Sequence, residues 1–181
     1  MTAGDATTNP RALLARLAAT PATLAAAVQD RASDALLRRP GEHAWSATEI
    51  LCHLRDVEEL FQVRFHTIVG LDDPVILVFG ADGAHLAPWG IGGGIGHPLD
   101  PDRWAEDRQY RRHDPAIALA ALRRRRDEVL MLLRSLTDAQ WMRRGVHLRH
   151  GPLSLGAWVA RLADHDDNHV DQLRRALDGR V

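Results

Sequence analysis

From Trp158 to Ala176 one stripe of mostly apolar residues runs Trp158, Leu162, His165, His169, Leu173, Ala176, in steps of four, three, four, four and three. That is the period of an α-helix, and a strand cannot keep it. It places two histidines one turn apart on the face that the helix turns toward its neighbours. A second stripe, Ile50, His53, Val57 and Leu60, in steps of three, four and three, sets a third imidazole in an equivalent position. Three unpaired imidazoles along one interhelical seam would cost on the order of 1–3 kcal/mol each, whereas a single divalent ion satisfies all three. Each histidine alone is compatible with an ordinary core residue bonded to a carbonyl or carboxylate. Together His53, His165 and His169 read as metal ligands, in a style that leaves coordination positions open. Imidazole suits zinc, nickel and iron, so the donor type does not choose the ion.

The rest of the chain repeats the helical period. Cap-type residues precede proline at Thr20-Pro21, Asp100-Pro101 and Asp114-Pro115, and proline suits a first helical turn because its missing N–H is not needed there. Ser46 and Glu49 have the spacing of a capping box. These signals predict a first helical region over about 10–31, bent at Thr20-Pro21, a second helix over 47–69 stopped by Gly70, a third over 115–136, and a fourth from Ser154 to near Gly179. Leu13, Leu17, Leu24 and Val28 mark the inward face of the first; Leu119, Leu122, Val129, Leu133 and Leu136 mark that of the third. The fold expected is all-α, a four-helix bundle, in a single domain over 1–181.

Residues 71–100 form an unusually long connection between the second and third helices and hold seven of the 14 glycines, including the run Gly90 to Gly96. That run does not fit G-x-G-x-x-G in any register, so it supports no dinucleotide site. It reads as a surface insertion or as a lid over a pocket.

Composition removes several classes of function. All 23 of the Lys plus Arg residues are arginine, which excludes Walker-type phosphate binding and Schiff-base chemistry. A formal net charge of −1 gives no bias toward nucleic acid. The lone Cys52 forms no internal disulfide, no signal-peptide pattern opens the chain, and the apolar run around Val75 to Phe79 is too short to span a bilayer; a cytoplasmic protein without a membrane span is the expectation.

Other candidates are weighed by helical geometry. Arg123 to Arg126 read as a solvated face, with Arg125 or Arg126 bordering the inward side. Asp56 and Asp166, each one turn or less from a candidate ligand, are either acceptors behind an imidazole or surface pairs. Glu49 is explained by its capping box. Cys52 points about 100° away from its neighbour His53 and reads as a buried structural thiol. His43, His66, His85, His97, His113, His147 and His150 share no spacing and read as surface or capping residues, with His85 or His97 able to close the site if the insertion folds over it.

The segment Trp45-Ser46 followed by Glu49-Ile50-Leu51-Cys52-His53-Leu54-Arg55-Asp56, with His165-Asp166-Asp167-Asn168-His169, resembles the DinB-like metal-binding superfamily. The resemblance extends to Asp102-Arg103-Trp104-Ala105-Glu106-Asp107 and Gly151-Pro152-Leu153-Ser154. It implies a four-helix bundle with one divalent ion, zinc or nickel foremost and iron as an alternative, on His53, His165 and His169. It also implies a homodimer and, from characterised relatives, an S-transferase or isomerase that uses a low-molecular-weight thiol such as mycothiol or bacillithiol on a small electrophile. The alternative is a metal-stabilised bundle that catalyses nothing and serves as a binding module.

Overall fold

The structure is a computed structural model that describes residues 9–78 and 100–181. Its elements are α1 (Pro10–Val28), α2 (Ser33–Leu37), α3 (Ala47–Gly70), β1 (Val75–Ile76), α4 (Pro101–Asp107), a 3-10 turn at Tyr110–Arg112, α5 (Pro115–Ser135), α6 (Asp138–Trp141), β2 (Arg144–His147), β3 (Gly151–Ser154) and α7 (Leu155–Leu177). The four long helices α1, α3, α5 and α7 make the expected bundle, with α3 against α5 and α7, and α1 against α5 and α7.

The helix starts follow local chemistry. Ser46 and Glu49 close the capping box on α3, Asp114 accepts from Ala116 and Ile117 at the head of α5, and Ser154 accepts from Ala157 at the head of α7. Asp100 caps α4 ahead of Pro101. Thr20-Pro21 is different. The true start of α1 is Asn9-Pro10, and Pro21 lies inside the helix. A proline there deprives the carbonyl four residues back of its donor. That carbonyl belongs to Leu17, and the guanidinium of Arg126 takes it instead, with Nη1 donating at 2.6 Å. Tertiary structure thus supplies the hydrogen bond that the helix lacks.

A small sheet accompanies the bundle. β1 runs parallel to β2 through Val75 opposite Val146, and β2 pairs antiparallel with β3. Two strands therefore stand where the sequence suggests only a polar connection before α7, and a third opens the 71–100 segment. Residues 79–99, including the run Gly90 to Gly96, His85 and His97, lie outside the described residues. Strands of two to four residues are too short to show a period, so pairing alone reveals them. α1 is also long and apolar enough by composition to cross a membrane, owing to its alanines. Its leucines Leu13, Leu17 and Leu24 are nevertheless buried in the bundle.

The core divides into two apolar clusters. One gathers Leu17, Val57, Phe65, Val129, Trp158 and Leu162. The other gathers Leu24, Ile50, Leu51, Leu122, Val170 and Leu173. Between them every long helix contributes buried polar groups: Thr20 from α1, His53 and Glu58 from α3, Arg126 from α5 and Asp166 from α7. The candidate ligands lie in this layer.

Candidate metal centre

Helical register brings His53 of α3 and His165 and His169 of α7 together as the stripes require. One ligating atom from each lies within 4.8 Å of the others. His53 Nε2 and His165 Nε2 are 3.1 Å apart. Two imidazole nitrogens on one tetrahedral zinc stand about 3.3 Å apart, so the spacing suits a shared ion. The rings are mutually tilted, with centroids 4.3–5.2 Å apart. His53 is buried, while His165 and His169 are half-buried toward a pocket.

The surroundings orient the rings. Gln172, one turn beyond His169, lies with Oε1 2.6 Å from His169 Nδ1. Since the amide oxygen only accepts, Nδ1 carries the proton, and Nε2 is left with its lone pair. The Trp45 indole packs against His53 at 4.7 Å between centroids and donates its Nε1–H to Asp102 Oδ1 at 3.0 Å. Burial, with His169 and His165 adding to it, pushes the His53 pKa down to about 2. Burial and His165 lower that of His169 to about 4, against the hydrogen bond to Gln172. Both rings are therefore neutral near pH 7 and offer lone pairs, which is the state a metal ligand needs. Donor type, spacing and protonation all fit a divalent ion.

The three histidines form one wall of a pocket of about 360 Å³, completed among the described residues by His43, Trp45, Asp102 and Gln172 with Pro101. No fourth protein ligand joins the cluster among the described residues. The three histidines are therefore legible in the sequence, and the rest of the pocket wall is not. Gln172 had a signal, its spacing of three from His169 on one helix face. Trp45 and Asp102 stood only within the segments that carry the family resemblance and His43 had no signal, because their approach to the site depends on how the segments before α3 and α4 meet.

Several other residues depart from expectation. Asp56 is neither behind His53 nor on the surface. It is buried and accepts from Arg55 Nε, Tyr110 Oη and Arg108 Nη1, all at 2.7 Å. His147 is a buried residue of β2 stacked on Trp158, with burial lowering its pKa to about 4. Of the two candidates for the inward border, Arg126 is wholly buried and Arg125 half-buried, whereas Arg123 and Arg124 are exposed as expected. Glu49 caps α3 and also holds Arg39. Cys52, by contrast, is buried as expected, and burial pushes its thiol up to about 12.

In comparison with protein families, residues 16–173 match the DinB superfamily. The chain belongs to the DinB superfamily. Among solved structures, this DinB protein is similar to YfiT from Bacillus subtilis, described as a probable metal-dependent hydrolase with an unusual four-helix bundle topology. The TM-score is 0.77 at 20% identity, covering 97% of this chain and 90% of that one. The likeness extends the shared fold over nearly the whole chain. No curated protein matches this DinB protein.

Proposed function

We propose that this DinB protein is a metal-dependent enzyme in which His53, His165 and His169 hold one divalent ion at the wall of a small-molecule pocket. The observation that carries this reading is the convergence of three imidazoles on a pocket of about 360 Å³ with no fourth protein ligand among the described residues. A bound ion with an open position would supply Lewis acidity, lowering the pKa of a small nucleophile that reaches it. The chain's own residues do the remainder. Gln172 holds the His169 tautomer, Trp45 supports the His53 ring, and Asp102, tied to Trp45, keeps the head of α4 at the pocket rim.

The nucleophile we favour is a low-molecular-weight thiol of the mycothiol or bacillithiol type, transferred to a small electrophile. The resemblance to thiol-using DinB relatives supports it. A second reading, hydrolysis, is supported by the description of YfiT as a probable metal-dependent hydrolase. Zinc and nickel are the ions proposed first, since both accept imidazole, with iron third. A homodimer is proposed on the resemblance alone, and sedimentation velocity tests it.

The test is elemental analysis of tag-free protein, with calorimetric titration of mycothiol and bacillithiol into metal-loaded and chelated forms. One ion per chain with metal-dependent thiol binding supports the transferase. One ion with turnover of ester or amide substrates, and no thiol binding, supports the hydrolase. One ion with neither returns the protein to a metal-stabilised binding module. His165→Ala should abolish stoichiometric metal binding, and full occupancy in that variant would sink the ligand assignment.

A further inference from the structure

Behind His165 lies a cluster that the metal reading does not use. Arg126 of α5 donates through Nε and Nη2 to the two oxygens of Glu58 of α3, at 2.7 and 2.6 Å. The same Nη2 is 2.7 Å from Asp166 Oδ2 of α7, and Nη1 donates to the Leu17 carbonyl of α1 at 2.6 Å. All three charged side chains are at most 2% exposed. One cation thus meets two carboxylates away from water. Such a group is a poor device for stability, because desolvating charges offsets their attraction and apolar side chains of similar size would serve as well. Its excess of negative charge calls for another explanation.

The excess faces the histidine site. Asp166 Oδ1 lies 3.9 Å from His165 Nδ1, a buried ring nitrogen with no hydrogen-bond partner at normal distance. A displacement of about 1 Å makes it an N–H···O⁻ bond. His165 Nε2 meanwhile faces His53. His169 shows the same arrangement completed, its Nδ1 already bonded to Gln172. Each α7 imidazole therefore turns one nitrogen to the site and the other to an acceptor on its own helix, a neutral one for His169 and a charged one for His165. A carboxylate behind an imidazole fixes its tautomer and makes it a stronger ligand.

We propose that Asp166 is a positioning residue of the histidine site, and that Arg126, anchored to Glu58 and Leu17, holds that carboxylate where it orients His165 and opposes the charge of a bound cation. This rests on the metal reading and deepens it. Arg126 reaches all four long helices, so the acceptor behind His165 is placed by the bundle as a whole. Gln172, by contrast, is placed by one helix.

The experiment measures Zn²⁺ affinity of purified apo full-length chain by competition with a chromophoric chelator, for wild type, Asp166→Asn and Glu58→Gln. Asp166→Asn leaves Glu58 and Arg126 as a neutral pair, so its apo thermal midpoint should stay close to wild type while zinc binding weakens about 10–100-fold. Glu58→Gln removes the same charge from farther away and should weaken binding far less. Affinity of Asp166→Asn within twofold of wild type overturns the proposal, as does an equal loss in both variants, which would mean that only long-range charge acts. A second measurement needs no variant to fold. In zinc-loaded wild type with ¹⁵N-labelled histidine, His165 should show an Nδ1–H proton that exchanges slowly with water, and exchange as fast as that of an exposed imidazole overturns the proposal. Wild type that binds no zinc would overturn the metal reading itself, a distinct result.

Discussion

Gln172 decides which nitrogen of His169 meets the pocket. Replacing it with leucine removes the acceptor and lets the ring choose either tautomer, so metal affinity should fall by about 10-fold, measured by chelator competition. Asp56 shows a carboxylate whose role is structural. Burial alone would raise its pKa, but hydrogen bonds from Arg55, Tyr110 and Arg108 outweigh burial and hold it below the ordinary value. Glu49 is held low in the same way, burial being outweighed by Arg39 and Ser46. Since their folded pKa values lie below the unfolded ones, both contribute stability that is complete above about pH 5 and is lost as pH falls through the folded values. Urea unfolding from pH 7 to pH 2 should show this decline, and Asp56→Asn should flatten it. At pH 7 that variant should lose about 2 kcal/mol, less than a fully buried pair would, because Arg108 is 45% exposed. The buried Cys52 thiol, pushed up to about 12, should not react with a thiol-specific disulfide reagent at pH 8 until denaturant is added. The histidine trio and Cys52 were legible because helical direction follows from position. The surroundings of Asp56 were not, since its partners Arg108 and Tyr110 come from a segment more than fifty residues away, brought close only by packing.

At the level of elements, helix ends were legible where a capping residue meets a proline or a capping box, because that chemistry is local. Pro21 misled for the same reason. Its local preference is for a first turn, yet Arg126 on another helix satisfies the Leu17 carbonyl and allows α1 to continue. Apolar periodicity placed Arg125 or Arg126 at the edge of the inward face of α5, but it cannot choose between them or say that two carboxylates from α3 and α7 wait there. The β-hairpin before α7 depends on close approach. A Cβ on Gly145 would stand 2.7 Å from Ile68 Cγ1 and 2.9 Å from Ile76 Cγ1, so the end of α3 and β1 pack directly on the β2 backbone. Gly145→Ala should therefore cost roughly 1–3 kcal/mol through overpacking. Thermal unfolding checks this, and a melting temperature equal to wild type would contradict the packing.

Across the whole molecule, a polar layer separates two apolar clusters, and the candidate ligands belong to that layer on α3 and α7. An ion held there would link these two helices, so stability should depend on free metal. With free zinc at a thousand times its Kd, the folded state should gain about 4 kcal/mol over the chelated form. The chelated protein should still unfold cooperatively, because both apolar clusters are complete without the ion. A melting temperature unchanged by chelation in a protein shown to contain zinc would contradict this link. The sequence by itself determined the four long helices, their inward faces and the histidines His53, His165 and His169, because the 3.6-residue period converts linear spacing into direction. The tertiary structure alone decided the small sheet, the pocket wall of Trp45, His43 and Asp102, and the clamp in which Arg126 joins Glu58, Asp166 and Leu17. Those features join residues far apart along the chain. Their energies come from desolvation and packing between helices, which no local pattern encodes.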